Sequence, residues 1–490
     1  MSAAALGALV LIAVAAAPAD TLVVATLADP VHVEPHRATD LVGAEIVASV
    51  CETLVRQRAG SLQPEAALAT TWATRDQRVW TFTLRQGVSF HDGTPFDADA
   101  VVGNLEHLQR ERAFRGQATR IGPHVVEIAL DRPNAALLST LSQPFFGVQS
   151  PRRLTGAGSE LPVGTGPYRL ARIRPGLVEL AAFAEYWGGP PRLAAVHFRR
   201  FPGDEALVEA LVSGEADVSS AIDHADVARL RDHEGISLDS RSGLNLAYLG
   251  LNNERAPFDD VRVRQAIARA VDRPGLVRDV LDGHGSPAST PLPPSILPPD
   301  IRTRQIVHDR DVARRLLDRA SLPERFETVL SFPRAPRPYL PNPGKVGERL
   351  RQELLEIGVV VRLHEVASWS DHVSLTSRGE FEMALLGWQA DTLDPNDFLT
   401  LLLDSRSVGD TNRSRFRHEG MDRLLKQARM ESAARTRAAL YRRVQDLFQR
   451  EMPFVPLYHA SAFTARRREV RGLVIGPTGI LRFEKAWKAP

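Results

Sequence analysis

Arg337-Pro338-Tyr339 and, further along, the run from Gly387-Trp388 through Asp391 to Asp394-Pro395 carry the residue types that could do recognition chemistry. Arg337 is a permanently charged fork inside a proline-rich, sterically fixed loop, and Asp391 is a carboxylate just after an apolar segment that ends in a Gly-Trp pair. A guanidinium takes a carboxylate through two parallel hydrogen bonds, and an aspartate takes an ammonium. Facing one cleft, the two groups would read a short zwitterion by its two ends. The competing reading leaves both as loop charges in water, the ordinary place for arginine and aspartate.

The elements that must position these groups alternate in type. Residues 21–25 read as a buried strand. Trp80, Phe82 and Leu84 alternate with Thr81, Thr83 and Arg85, which predicts a half-buried strand running into the turn Phe90-His91-Asp92-Gly93. Asp97 then opens a helix with Ala100, Val101 and Leu105 on one side. A glycine-rich turn at 163–168 leads into strands, with more at 178–183 and 195–201. After the extended apolar run 244–251, Asp259-Asp260 caps a helix whose inner face carries Val263, Ile267, Ala270 and Val271. Residues 286–299 are proline-rich and predict an irregular loop. Val346, Leu350, Leu354 and Ile357 mark a helix stopped by Gly358, with strands following at 359–363 and 381–386. Leu440, Val444, Leu447 and Phe448 mark another, ended by Pro453. Strands and helices interleave without a fixed-period repeat, so the class is α/β or α+β.

At 490 residues the chain is too long for one hydrophobic core, and two or three domains are expected. Hydrophobic content of 43% and charged content of 24% are those of a globular protein, and a net charge of +2 gives no electrostatic case for nucleic acid. Only Lys345, Lys426, Lys485 and Lys488 among the 61 basic residues are lysine, a chain-wide bias rather than a phosphate-binding surface. Arg466-Arg467-Arg468 accordingly reads as a solvated face. Residues 3–17 form an apolar run, too short to span a bilayer comfortably and suited to the core of an export signal. Ala17-Pro18-Ala19 supplies the small residues of a cleavage site, making 1–19 the signal and Asp20 the mature start, although residues 1–6 carry no Lys or Arg. The single cysteine, Cys51, cannot form an internal disulfide. A soluble exported protein, periplasmic in location, is the expectation.

Other chemistry finds little support. His91 and Asp92, adjacent at a turn, do not present two ligands to one ion, and no metal or other cofactor is expected. The chain lacks H-E-x-x-H, C-x-x-C and G-x-S-x-G patterns. Val163-Gly164-Thr165-Gly166-Pro167 has no Gly-Lys-Ser/Thr and reads as a tight turn, and Trp187-Gly188-Gly189-Pro190 as a loop.

Taken in order, several blocks resemble the solute-binding proteins of bacterial peptide/nickel-type ABC importers, most closely the dipeptide binders. They are Leu68 to Trp72 with Trp80 to Gly87, Phe90 to Gly93 with Ala98 to Val102, and Val163 to Tyr168. Leu249 to Asn252, Pro257 to Ala266, and the Gly387-Trp388 to Asp394-Pro395 block follow. The resemblance covers essentially all of 20–490. It implies a type II periplasmic-binding-protein fold, two lobes that close by a hinge, with an extra domain inserted in the first. Carried over, the first lobe is 20–51, 162–250 and 462–490, the insert 52–161, and the second lobe 251–461. The same resemblance puts Arg337 on a ligand carboxylate and Asp391 on an α-ammonium, with Tyr339, Gly387 and Trp388 lining the cleft. Where the family often continues with aromatic residues after Val102, this chain has Gly103-Asn104-Leu105.

Three readings of different class follow. The favoured one is a monomeric receptor that takes dipeptides or short peptides and delivers them to an ABC permease. The second keeps the scaffold but binds a nickel chelate, haem, an opine or another small solute; a chelate has no ammonium for Asp391. The third, an exported hydrolase, lacks a nucleophile–base or metal constellation. In the favoured reading the ligand backbone bonds to main chain near Gly387 as an added strand, water-filled pockets accept varied side chains, and no covalent bond breaks.

Overall fold

The computed structural model describes residues 20–58, 63–157, 161–297, 304–390 and 392–490. The expected export signal at 1–19 and Asp391 lie outside the described residues.

Phe454–Arg467 is a strand of 14 residues on which the architecture turns. Its first half pairs antiparallel with Asn245–Leu251 on one edge and Gly285–Pro287 on the other; its second half pairs with Ile236–Ser242 and Val218–Ser219. Through it, two half-sheets become one sheet of 12 strands. On one side the order continues through Asn245–Leu251, Met383–Gln389 and Phe326–Pro333 to Val359–Val366. On the other it runs through Val218–Ser219, Thr21–Thr26, Ala195–Arg200 and Leu177–Ala182 to Tyr168–Arg174. Proline cannot donate to a ladder, and Pro456 sits where the pairing with Ala247 and Tyr248 shifts register.

The ladder changes partners at Gly243. Its N–H donates to Ala460 O, and the Asn245 side chain completes the exchange: Nδ2 donates to Ala460 O at 2.9 Å, and Oδ1 accepts from Ala460 N–H at 2.8 Å. A Cβ on Gly243 would meet Asn245 Nδ2 at 2.1 Å, so this approach requires glycine. His459 Nδ1 lies 2.6 Å from Asn245 O; a carbonyl only accepts, so Nδ1 carries the proton, and burial holds the ring neutral with its pKa lowered to about 4.

Apolar packing falls into separate clusters. Residues 54–163 supply one, around an antiparallel sheet of Ala69–Thr74, Val79–Leu84, Val125–Leu130 and Gly116–Gly122 with the helix Ala98–Arg110 across it. Residues 244–460 supply the largest. Two more lie on opposite faces of Thr21–Thr26: Leu22 and Val24 enter one, Val23 and Ala25 the other. That strand is covered on both faces, which is why it reads as an unbroken apolar run.

Locally determined elements form where expected. Asp97 and Asp260 cap their helices, accepting from Ala100 N–H and Arg262 N–H. Gly358, at φ +87, ends the turn after Pro343–Leu355. The helix Ala434–Glu451 stops one residue before Pro453, with Met452 left-handed at φ 42. In the departure after Val102, Asn104 Nδ2 donates to Gln149 O and its Oδ1 accepts from Gln149 N–H, tying the helix to the segment beside it. Two expectations need correction. Residues 286–299 are not wholly irregular: Ser286 pairs with His459, and Pro294–Ile296 is a short 3-10 turn. Arg466-Arg467-Arg468 is not a solvated face either, since Arg466 pairs with Asp239 and Arg467 with Glu469, both half-buried; Arg468 alone is exposed.

Asp394 anchors the segment after Met383–Gln389. Arg437 grips it with Nη1 to Oδ2 at 2.7 Å and Nη2 to Oδ1 at 2.8 Å, and Tyr441 closes the group. The carboxylate also accepts from Asn396 N–H at 2.9 Å, fixing the start of Asn396–Leu403. Its side chain is 9% exposed and that of Arg437 14%. Breaking a pair so buried strands one charge. Asp394→Ala should therefore cost about 3–5 kcal/mol in chemical denaturation, and Asp394→Leu combined with Arg437→Met should recover much of it.

Candidate functional site

Arg337 is placed by a turn closed at both ends. Its N–H donates to Leu340 O at 3.0 Å and its carbonyl accepts from Leu340 N–H at 2.8 Å, with Pro338 at the position where a fixed φ is favourable. The guanidinium carbon lies over Trp369, 3.9 Å from the ring centroid. Trp369 opens the helix Trp369–Arg378, which Ser368 caps, and its other neighbour is His372, ring centres 5.7 Å apart. His372 Nε2 is 2.9 Å from Leu385 O, so it donates there and leaves Nδ1 as a bare acceptor. Burial lowers the His372 pKa to about 4, so the stack beneath the guanidinium adds no second charge. Among the described residues Arg337 makes no ion pair, and its buried Nε finds no acceptor.

Tyr339, in the same turn, is 8% exposed and lies against Gly387. A Cβ at Gly387 would fall 2.0 Å from Tyr339 Cδ2, so the ring occupies the space that a side chain would fill. Burial pushes the Tyr339 hydroxyl up to about 12. Gly387 stands opposite Ala247 and Trp388 opposite Leu246 in the antiparallel pairing with Asn245–Leu251. Trp388 packs on the large apolar cluster, and its indole N–H is shielded from water with no acceptor among the described residues. The structure thus brings Arg337, Tyr339 and Gly387 together, with Trp388 the next residue of the strand. Asp391 follows in sequence but lies outside the described residues. Trp369 and His372 were missed from sequence, where an aromatic at a helix start carries no mark of a cation stacked on it.

A cavity of about 420 Å³ opens at the strand crossing, between Leu244 and Leu393 on one wall and Ser240 to Ser242 with Gly476 on the other. That volume suits a small organic molecule. Ala390 N–H donates to Leu244 O at 2.8 Å, so the wall continues into the strand bearing Gly387 and Trp388. A smaller cavity of about 90 Å³ lies beside Glu52. Glu52 accepts from Trp187 Nε1 at 2.7 Å, Tyr186 OH at 2.9 Å and Thr165 Oγ1 at 2.9 Å, and burial pushes its carboxyl up to about 7. Trp187 and the glycine-rich turn at 163–168 are therefore held as scaffold. So is the His91-Asp92 turn: His91 Nε2 bonds Gly166 O at 2.9 Å, and Asp92 accepts from Ser150 Oγ at 2.6 Å.

A family model described as bacterial extracellular solute-binding proteins, family 5 Middle, matches residues 63–410. The chain is 30% identical to di/tripeptide-binding protein 2 of Pseudomonas aeruginosa, covering 95% of this chain and 94% of the relative. It is 29% identical to heme-binding protein A of Haemophilus influenzae, covering 88% and 85%. The structure of the dipeptide binding protein from Pseudoalteromonas sp. SM9913 in complex with Met-Leu superimposes with a TM-score of 0.81 at 26% identity, over 96% of this chain and all 100% of that one. The fold is that of the type II periplasmic binding proteins.

The Tyr339–Gly387 contact can be tested directly. Gly387→Ala should destabilise by about 1–3 kcal/mol through overpacking, and much of that loss should vanish in a Tyr339→Ala background, read as a double-mutant cycle by chemical denaturation.

Proposed function

Because the chain belongs to the bacterial extracellular solute-binding proteins of family 5, we propose that it captures dipeptides and other short peptides and hands them to an ABC permease for import. The observation that carries this reading is Arg337: a guanidinium stacked on Trp369, without an ion-pair partner among the described residues, whose Nε has no acceptor. An arginine so placed calls for an anion from outside the chain, and a peptide carboxylate matches its fork. Tyr339 and Trp388 line the ligand beside it, Gly387 gives the peptide backbone access to main chain, and Asp391 receives the α-ammonium. Fixed partners for both charges select length, because a longer peptide carries one charge away from its partner.

In this reading the receptor works as a monomer outside the cytoplasmic membrane, exported by the segment 1–19. Among the described residues no helix is long and apolar enough to cross a membrane. The lobes and insert follow the boundaries implied by the family resemblance, and the change of ladder partners at Gly243 supports a crossing close to the expected 250. Family members are solute-binding receptors. Arg337 and Asp391 match charges that the ligand already has in its ground state, and such binding does not by itself accelerate a reaction. A second reading, a haem carrier, is favoured by the Haemophilus influenzae relative.

Calorimetry with free dipeptides should show binding that Arg337→Ala or Asp391→Ala weakens by about thirtyfold or more, the cost of stranding a charge. Either variant within threefold of the parent would remove that residue from the site. N-acetylated or C-amidated dipeptides should raise the melting temperature much less than free ones. Equal shifts would show that the end charges are not read, and a stoichiometric Soret change on adding hemin would then favour the haem reading. Incubation with a dipeptide library should release no amino acids detectable by mass spectrometry; turnover that a point mutation abolishes would overturn the receptor assignment.

A further inference from the structure

The wall of the 420 Å³ cavity contributed by Ile236–Ser242 carries a cation with no role in the preceding sections. Arg241 Nη1 donates to Thr464 Oγ1 at 3.0 Å, and among the described residues no carboxylate comes within ion-pairing distance of its guanidinium. The neighbouring acid on the same wall, Asp239, is already taken by Arg466 at 3.0 Å. Glu45, the other acid near Arg241, is buried, accepts from Ser220 Oγ at 3.2 Å, and burial pushes its carboxyl up to about 8. Among the described residues Arg241 is thus left without a paired carboxylate.

The surroundings are shaped to hold that charge in place. Gly479 stands at φ +97, and a Cβ there would fall 2.3 Å from Arg241 Nη2. The tail thus gives up a side chain where the guanidinium lies. The remaining lining is hydroxyl and apolar: Ser240, Ser242 and Ser295 with Leu244 and Leu393. Hydroxyls complete the solvation of a carboxylate without competing for the arginine. From Ala390, tied to Leu244, back to Gly387 is three residues of strand, about 10 Å, a distance that one peptide with an extended side chain bridges.

We propose that Arg241 receives an acidic side chain of the bound ligand, so that this receptor prefers short peptides containing glutamate or aspartate. The proposal rests on the peptide reading and adds a specificity-determining residue to it. Arg337 reads the end of the peptide, and Arg241 reads what one of its residues carries. Closure of a cleft over an arginine that has no counter-ion among the described residues strands its charge, and a side-chain carboxylate offsets that cost through a two-point hydrogen bond that an amide of equal size cannot match.

The test is calorimetry on the full chain with Leu-Leu, Glu-Leu, Gln-Leu, Leu-Glu and Leu-Gln. At least one glutamate peptide should bind about tenfold or more tightly than its glutamine isostere. Arg241→Gln should erase that preference while leaving Leu-Leu within about threefold of its parent affinity. Arg241→Lys, which keeps the charge and loses the fork, should retain the sign of the preference and shrink it. Equal affinities for the glutamate and glutamine forms in the parent protein, or a preference that survives Arg241→Gln, overturn the role of Arg241 and leave the peptide reading standing. Failure of every dipeptide to bind overturns the peptide reading and this proposal with it.

Discussion

A strand has two edges, and every backbone N–H and C=O along them must find a partner once buried. Phe454–Arg467 meets that requirement with four different strands, two along each half of its length. Both half-sheets are therefore built on one continuous piece of backbone. The price is paid at Gly243, where one ladder stops and the next begins, and where the Asn245 amide supplies the donor and acceptor that the main chain cannot. Relative motion of the two sides must concentrate in this short stretch, because on either side of it the strand is locked in its own ladder. The larger cavity opens at that same place, so its lining includes residues of the crossing, Ser242 and Leu244.

The arginines of this chain differ in how they are treated. Arg437 is matched by Asp394 and serves architecture; Arg466 is matched by Asp239. Arg337 and Arg241 are held by a ring face and a hydroxyl, contacts that fix direction without cancelling charge. In a chain with almost no lysine, the presence of an arginine says little about its role. What separates a structural arginine from a recognising one is whether the protein supplies the anion.

Much of the fold was legible because its signals are local. The alternation of Trp80, Phe82 and Leu84, the caps Asp97 and Asp260 and the stop at Gly358 each act within one turn or one strand, and each formed as read. The failures involve partners far apart in the chain. Gly285–Pro287 is a strand only because residues 458–460 lie beside it, and Arg466 is shielded only because Asp239 comes to meet it. The same limit applies to the site. Arg337, Tyr339, Gly387 and Trp388 stood out through motif and resemblance, and the interlock of Tyr339 with Gly387 gives two of them a physical reason. Trp369 and Arg241 carry no such mark, since what sets them apart is a guanidinium stacked on one and, among the described residues, no carboxylate paired with the other.

Thr21–Thr26 has a consequence for the order in which the molecule can be assembled. The first strand of the described chain is an interior strand, flanked by Ala195–Arg200 on one edge and Val218–Ser219 on the other, and Val218–Ser219 in turn leans on residues 465–466. A ribosome makes this strand before any of its partners. The earliest segment must wait, extended and apolar on both faces, until partners nearly two hundred residues later exist, and its half-sheet is completed only when residues 465–466 have emerged. Closing such long loops is slow compared with forming a hairpin. The topology thus keeps the first half-sheet unfinished until residues 465–466 exist, a delay written into strand order alone.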